Sequence, residues 1–375
     1  MAGIYLHIPF CKQACYYCDF HFSTSLKMKK DLISCMVKEL EIRKDEFVDE
    51  RVETIYFGGG TPSLLSIEEI QLLIETIYNN YKVIDKPEIT IEANPDDLTE
   101  AKIAALTITS VNRLSIGVQS FFEEDLQLMN RAHNAEEAKK SLSIATRHFD
   151  NITVDLIYGI PNMSNKRWRE NLEILFSFGV NHISSYALTV EPKTALESFI
   201  KQGKYPDIDE NLAREHFEIL IKETARQGFV QYEISNFGKP NYFSKHNSSY
   251  WQGKKYLGIG PSAHSFDKIH RSWNVANNSK YIKSIYKEIV PRTIETLSVY
   301  DRFNEYVMTG LRTVWGVSLV EIEKNFGLKI KDQLLVSAKP FIIEGLLVVT
   351  NGTLKTTEKG KFLADGLASE LFLLP

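Results

Sequence analysis

The chain has 375 residues, a formal net charge of −4, 43% hydrophobic and 25% charged residues, which is ordinary globular composition with room for one large α/β barrel and a small appendage. The slightly acidic balance gives no support to nucleic-acid binding as the main activity. No apolar run approaches the roughly 18–20 residues that span a bilayer, and "MAGIYLHIPF" lacks the basic and apolar regions of a signal peptide, so a cytoplasmic chain with reduced cysteines is expected.

In chain order, "IYLHI" (4–8) reads as a strand and is followed by a loop carrying Cys11, Cys15 and Cys18. Met28, Leu32, Met36, Val37 and Leu40 then recur at helical spacing within 27–46. "ETIYF" (53–57) is the next strand and runs into "GGGTP" (58–62). Ser66 and Glu69 form a capping-box pattern ahead of a helix over 67–81. "EITIEA" (88–93), "RLSIGV" (113–118), "ITVDLIYG" (152–159) and "HISSYAL" (182–188) predict further strands, and helical stretches including 100–106, 135–148 and 166–178 separate them. Six βα units in the first 190 residues or so imply parallel strands joined by right-handed crossovers. They are too few to close an eight-stranded barrel. The expected α/β fold is therefore a partial, six-stranded (β/α)6 barrel, with a doubly wound open sheet as the alternative. A helix over 209–228 and a strand, "FVQYEIS" (229–235), follow.

The last 75 residues or so differ. A helix is expected over 301–313, two more in "SLVEIEKNFG" and "IKDQLLVSAKPFIIEG", then two strands around Asn351-Gly352, a strong hairpin signal, and a closing helix over 358–372. Helix–helix–hairpin is winged-helix order. Lys329, Lys331 and Lys339 on its second helix are offset by acidic neighbours, so a structural or partner-docking unit is expected rather than a DNA reader. The expected division is a barrel over 1–235, an extension over 236–295 and a winged-helix-like unit over 296–375.

Clustered cysteines in a reducing compartment point to metal or catalysis more than to disulfides. Structural zinc closes its site with four ligands, and 11–18 offers three. His7 or His21 could complete a zinc site, and that alternative stays open. Cys35 sits among apolar residues of a predicted helix, as a small buried thiol does. An iron–sulfur cluster has four irons and can leave one without a protein ligand. In parallel β/α barrels chemistry collects at the C-terminal strand ends. That rule places on one rim the cysteine loop, Gly58, Gly59 and Gly60, Glu92 and Asn94, Gln119, Asp155 and Ala187. Glycines let a ligand approach the backbone closely, and carboxylates suit ligand hydroxyls. Taken singly, the glycines read equally as a tight turn and each carboxylate as an internal salt bridge.

The Cys-x3-Cys-x2-Cys spacing, with Tyr17 just before the last cysteine, resembles the radical S-adenosylmethionine (SAM) superfamily. The resemblance implies a [4Fe-4S] cluster on Cys11, Cys15 and Cys18, with the remaining iron chelated by the SAM amino and carboxylate groups. "GIYLHIPFCKQACYYCDF", "YFGGGTPSLL", "IEANPDDLT", "RLSIGVQSF", "DLIYGIP" and "GIGPSAHSF" resemble, in order and spacing, the oxygen-independent coproporphyrinogen oxidase group over nearly all of 3–266. The dehydrogenases of that group carry a further cysteine two residues after the third and a longer N-terminal extension. Here Phe20 stands at that place, and ten residues precede Cys11. "HNSSYW" (246–251) is similar to the His-Asn-x-x-Tyr-Trp motif of the HemW-type heme chaperones, and the chain resembles that branch.

The resemblance implies SAM contacts from Tyr5, Tyr17, Gly59, Gly60, Thr61, Glu92, Gln119, Arg131, Asp155 and Ala187, with one or two bound SAM left open. For heme it implies His246 as axial ligand candidate, with Asn247, Tyr250 and Trp251 about the porphyrin and His264 as a second candidate. The bland reading of the same segment is a surface loop with a helix-capping Asn247 and a buried Trp251. The implied function is a heme chaperone that delivers heme to apo-hemoproteins such as respiratory cytochromes, with cluster and SAM in support and no catalytic residue assigned. Transient membrane contact and a homodimer are left open. The alternatives are radical-SAM oxidative decarboxylation of coproporphyrinogen III and a zinc-structured scaffold.

Overall fold

The structure, a computed structural model, describes residues 2–374. Strand and helix alternate through β1 (Ala2–Ile8), α1 (Lys29–Ile42), β2 (Val52–Gly59), α2 (Ile67–Asn80), β3 (Val83–Ala93), α3 (Glu100–Thr107) and β4 (Arg113–Gln119). After α4 (Glu123–Leu128) and α5 (Ala135–His148) come β5 (Ile152–Tyr158), α6 (Asn165–Ser177) and β6 (His182–Ala187). β1 to β6 lie side by side in sequence order and every pairing among them is parallel. This is the partial, open six-stranded (β/α)6 barrel that the repeats predict. A doubly wound sheet would reverse its strand order at a switch point, and this one does not.

Period-two alternation decides which face each strand residue serves. Ile4, Leu6 and Ile8 of β1, with Ile55 and Phe57 of β2, are fully buried in the main apolar core, to which the helices contribute. The alternate residues Tyr5 and Tyr56, in register with one another, face the barrel interior. The helix starts are equally local. Ser66 Oγ accepts from Glu69 N (3.2 Å) while Glu69 Oε2 accepts from Ser66 N (2.7 Å), the expected capping box, a device that stabilises a helix by about 1 kcal/mol.

The sheet does not stop at β6. After α7 (Ala195–Lys201) and α8 (Glu210–Arg226), β7 (Val230–Glu233) and β8 (Asn236–Gly238) add to the β6 edge in antiparallel fashion. The expected strand over 229–235 therefore ends at Glu233 and turns back. α9 (Lys245–Trp251) follows, then β9 (Lys255–Ile259), which pairs parallel to the other edge, β1. β10 (His264–Phe266), β11 (His270–Asn274), α10 (Asn278–Ile285) and β12 (Arg292–Thr296) complete a 12-stranded sheet. The bland loop reading of "HNSSYW" is overturned: the segment is helix α9, and its cap is Ser244, whose Oγ accepts from Asn247 N (3.3 Å). Glu88 accepts from the first-turn backbone N–H groups of Lys245 (3.0 Å) and His246 (2.9 Å), which have no intrahelical acceptor, and this sets a carboxylate against the positive end of the helix.

The C-terminal residues build a second apolar core around Phe303, Val307, Ile322, Leu334 and Leu354. Its elements are α11 (Val299–Leu311), β13 (Val317–Ser318), α12 (Leu319–Phe326), α13 (Leu328–Ile343), β14 (Leu347–Thr350), β15 (Thr353–Thr356) and α14 (Ala364–Glu370). Asn351 (φ +51°) and Gly352 (φ +70°) make the two-residue hairpin turn that the sequence demands. The closing helix is shorter than expected, a 3-10 turn over Lys361–Leu363 leading into α14. Arg312 joins this unit to the barrel. It donates to Glu233 Oε1 (2.9 Å) and Asp365 Oδ2 (2.6 Å) and lies 5.0 Å over the Trp251 ring. Among the described residues no helix is long and apolar enough to cross a membrane.

One charged pair fixes the added strands. Glu39 and Arg43, one turn apart on and just beyond α1, are 0% and 2% exposed. Arg43 donates to Glu39, to both oxygens of Glu46, to Gly258 O (2.8 Å) and to Ser265 Oγ (3.1 Å). Glu39 also accepts from Gly260 N (2.9 Å), Asn274 Nδ2 (2.8 Å) and the Tyr281 hydroxyl (2.6 Å). A buried ion pair is tolerable when its remaining hydrogen-bonding capacity is met, and here it is met by β9, β10, β11 and α10. Glu39→Ala leaves buried Arg43 with only the partly exposed Glu46 as counter-charge and strips Gly260 N, Asn274 and Tyr281 of their acceptor, and should cost about 3–5 kcal/mol in chemical denaturation, with amide exchange accelerating first over 255–274. A loss below about 1 kcal/mol, the size of an exposed pair, would show that solvent reaches the site.

Candidate functional site

Cys11, Cys15 and Cys18 occupy the loop after β1 as half-buried free thiols. The loop is pinned by its backbone: Cys11 N donates to Ser23 O (3.1 Å), Tyr16 N to Met129 O (3.1 Å) and Thr61 N to Phe10 O (2.7 Å). Position 60 has no space for a side chain, since a Cβ there would lie 2.7 Å from Phe10 O and 3.0 Å from Cys11 Sγ. Gly59, at φ +111°, directs its N–H to Glu92 Oε2 (3.2 Å). Thr61 is buried and accepts from Asn94 Nδ2 (3.3 Å).

Arg131 ties this loop to the strand ends. Its Nη1 donates to Cys15 Sγ (3.3 Å) and to the Tyr17 hydroxyl (3.4 Å), and its Nη2 to Asn94 Oδ1 (2.7 Å) and Gly117 O (2.8 Å). Its buried Nε has no partner among the described residues. A Cβ at Gly117 would meet Gln119 Nε2 at 3.0 Å and Arg131 Nη2 at 3.2 Å, so Gln119, Arg131 and Asn94 converge above β4. Gln119 is held in the left-handed region at φ +69°, a strained conformation of the kind found at functional sites.

The donor set fits a multi-iron cluster. Burial raises the Cys11 and Cys18 thiols, Cys18 to about 11, and the Cys18 thiolate is further opposed by Cys15 and Cys11. Deprotonating all three needs nearby positive charge, and Arg131 supplies part of it. A four-iron cube gives each thiolate its own corner, and three half-buried cysteines along one loop suit that.

Beneath the loop lies a cavity of about 240 Å³, lined by Tyr5, Tyr56, Glu92, Arg113, Asp155 and Tyr250 among others. The Tyr5 hydroxyl is 3.2 Å from His7 Nδ1. The Tyr56 hydroxyl donates to Glu92 Oε1 (2.8 Å). Burial pushes Glu92 up to about 7, against the Tyr56 bond and with help from Asp155. Burial likewise pushes Asp155 up to about 6, opposed by the Ser184 hydroxyl and Arg113. Two carboxyls that titrate near neutrality can accept from, or donate to, ligand hydroxyl and amino groups.

The HNSSYW segment sits at the opposite end of this cavity, at the start of the strands. A Cβ at Gly3 would lie 3.1 Å from the His246 ring. His246 is 2% exposed, and both its ring nitrogens are engaged: Nδ1 is 2.7 Å from Thr54 Oγ1 and Nε2 2.7 Å from the Tyr250 hydroxyl. Burial, then Arg113, brings its pKa down to about 3, so the ring is neutral. Asn247 and Tyr250 line the cavity, whereas Trp251 donates to Asn247 Oδ1 (3.0 Å) and lies under Arg312. The expected residues thus form an upper group at the cysteine loop, a middle group of Tyr5, Glu92 and Asp155, and a lower group on α9. Ala187 closes β6 beside Tyr158. Phe20 is 67% exposed just past the loop. Sequence reasoning missed Tyr56, Arg113 and Ser184 as cavity residues. The signal was present in the alternation, since each shares an inward register with a residue already chosen.

The radical SAM superfamily pattern matches residues 5–175, and that of the HemN C-terminal domain matches 297–363. The chain is 31% identical to the heme chaperone HemW of Bacillus subtilis, covering 97% of each chain. It is 32% identical to heme chaperone HemW of Lactococcus lactis, covering 99% of this chain and 97% of that one. The solved structure of coproporphyrinogen III oxidase (HemN) from Escherichia coli, a radical SAM enzyme, superimposes with a TM-score of 0.86 at 22% identity, covering 99% of this chain and 90% of that one.

The buried carboxyls make stability depend on pH. Folding holds Glu92 and Asp155 protonated to higher pH than in the unfolded chain, so their contribution is full below about pH 4 and is lost as pH rises through about 6 to 7. In the cofactor-free chain, Glu92→Gln should flatten this slope and raise Tm relative to the parent at pH 8. Parallel Tm–pH curves for the two proteins would show that Glu92 ionises freely.

Proposed function

Because the chain belongs to the HemW family of heme chaperones and carries the radical SAM domain, we propose that it binds heme and passes it to apo-hemoproteins, respiratory cytochromes among them. In this reading Cys11, Cys15 and Cys18 hold a [4Fe-4S] cluster, which when bound supplies an electron and an open iron for SAM. The observation that carries the cofactor assignment is the four-way contact of Arg131 with Cys15, Tyr17, Asn94 and Gly117. It brings the cysteine loop and the strand ends into one charged, partly dry site.

The chain's own residues then bind and orient SAM. Gly59, Gly60 and Thr61 present backbone and hydroxyl groups at the loop, and Tyr17 and Arg131 set the position of Cys15. Gln119 and Arg131 cover the approach over β4. Glu92 and Asp155 take the hydroxyl-bearing end of the ligand, with Tyr5 beside them, and Ala187 bounds the far side. Depressed solvent access at the carboxyls strengthens each such bond.

Heme binding is supported by the likeness along nearly the whole chain to two heme chaperones. The interior cavity, about 240 Å³, lies below the roughly 300–1,000 Å³ of pockets that enclose drug-sized ligands, so a rigid porphyrin is met on an open face and not inside the barrel. His246, Asn247 and Tyr250 support that face from within. The working location is the cytoplasm, with transient approach to membrane-held acceptors. Oxidative decarboxylation of coproporphyrinogen III is the second reading. The fold shared with the E. coli oxidase favours it; Phe20, where the dehydrogenases carry a cysteine, counts against it.

Anaerobic reconstitution should give iron and sulfide in equal amounts, and Ala at Cys11, Cys15 or Cys18 should abolish both. The same preparation should take up heme, surrender it to an apo-cytochrome, and form no protoporphyrinogen with SAM and a reductant. Zinc at the cysteines, or porphyrinogen turnover, would replace this reading with one of the alternatives.

A further inference from the structure

We propose that the axial ligand to heme iron is His264, on the strip formed by β10 and β11, and that His246 is a structural residue of the barrel floor; this rests on the heme-binding reading above. An iron ligand must be a neutral imidazole with a free, reachable nitrogen. Of the nine histidines, His21 has its Nε2 engaged 2.8 Å from Asn278 Oδ1, and His270 its Nδ1 2.9 Å from Asp267 Oδ2. His246, His182 and His7 each have both ring nitrogens in hydrogen bonds and are less than a tenth exposed. His133 and His216 are buried. His148 stands on the last turn of α5 in the outer helical layer.

His264 differs. It is exposed, and its ring has no hydrogen-bond partner among the described residues. It pairs across the ladder with Trp273, whose ring lies at 27° to the imidazole with centroids 6.1 Å apart. One step along the same face Phe266 pairs with Arg271, and Phe266 packs on Tyr256 (6.0 Å). The strip therefore offers a free imidazole, an aromatic surface and a half-exposed cation, Arg271, which is ion-paired with Glu305 of α11. These are the groups that a flat apolar macrocycle with iron at its centre and carboxylates at its edge would use. Burial, then Arg271, lowers the pKa of His264 and keeps the ring neutral.

The imidazole is also held in place by built structure. A Cβ at Gly258 would fall 2.0 Å from His264 O, and the turn before β10 requires left-handed backbone at Gly260 (φ +101°) and Ser262 (φ +65°). Next to it, Ser265 Oγ accepts from Gly258 N (2.9 Å) and from Arg43 (3.1 Å). The ligand position is thus anchored through the Glu39–Arg43 pair, a preorganisation that metal sites need.

The test is a heme titration of the anaerobically reconstituted full chain, followed by optical and electron paramagnetic resonance spectra, for the parent, His264→Gly, Arg271→Gln and His246→Ala. For His264→Gly we expect loss of the imidazole-ligated spectrum, heme affinity lower by about tenfold or more, an unchanged cluster spectrum, and recovery of the ligated spectrum on adding free imidazole. Arg271→Gln should weaken heme without changing the axial spectrum. His246→Ala should lower the unfolding midpoint, with its folded fraction still imidazole-ligated. The assignment is overturned if His264→Gly keeps the parent spectrum and affinity, or if His246→Ala loses the ligated spectrum with its unfolding curve unchanged. A parent chain that takes up no heme would instead remove the heme reading itself.

Discussion

Two opposite charges removed from water hold the sheet extension in place. Glu39 and Arg43 are buried to near zero exposure, and apart from the bonds of Arg43 to Glu46 their remaining bonding capacity is spent on residues more than 200 positions later in the chain. Such a pair gains little net stability over apolar residues of the same shape, but it penalises every arrangement that leaves one member unpaired. It therefore specifies geometry. The approach of β9 to β1, the turn at Gly260 and the placement of Ser265 all follow from satisfying it.

The barrel interior carries the complementary constraint. Because alternate residues of each parallel strand face inward, a strand can be fully apolar toward its helices and polar toward the cavity. Thr54, Tyr56, Glu92, Ser115, Asp155 and Ser184 take that inward place, where many barrels pack branched aliphatics. The result is a polar, charged interior with a roof of cysteine loop and a floor of α9. Glu88 makes the floor possible, since it satisfies the backbone N–H groups that a helix end inside a barrel would otherwise leave bare.

Much of this was legible in the residues. The six βα units, the Ser66–Glu69 box and the Asn351-Gly352 turn are local signals, and each needs only a few neighbouring positions to be read. The cysteine loop, the glycines, Glu92, Gln119 and Asp155 were legible because strand ends gather on one rim, whereas Tyr5, Tyr17, Thr61 and Arg131 came only with the family resemblance. The extension was not. β8 and β10 span three residues each, too short to show a period, and β9 joins β1 across about 250 residues of intervening chain. Glu39 and Arg43 stand four apart within a helical pattern, a spacing that ordinarily marks a solvated pair. α9 was obscured because its capping oxygen belongs to Ser244, just outside the motif that drew attention, and its second support, Glu88, lies far away in sequence.

Arg312 has a consequence beyond joining two units. Its guanidinium touches β7 through Glu233, α14 through Asp365 and the floor helix through Trp251. A displacement of the small terminal unit would therefore be felt at the underside of the barrel. Around Arg312, Val314 N donates to Tyr232 O and Lys361 to Gln231, so the terminal unit and the underside of the barrel are coupled as one seam with that guanidinium at its centre.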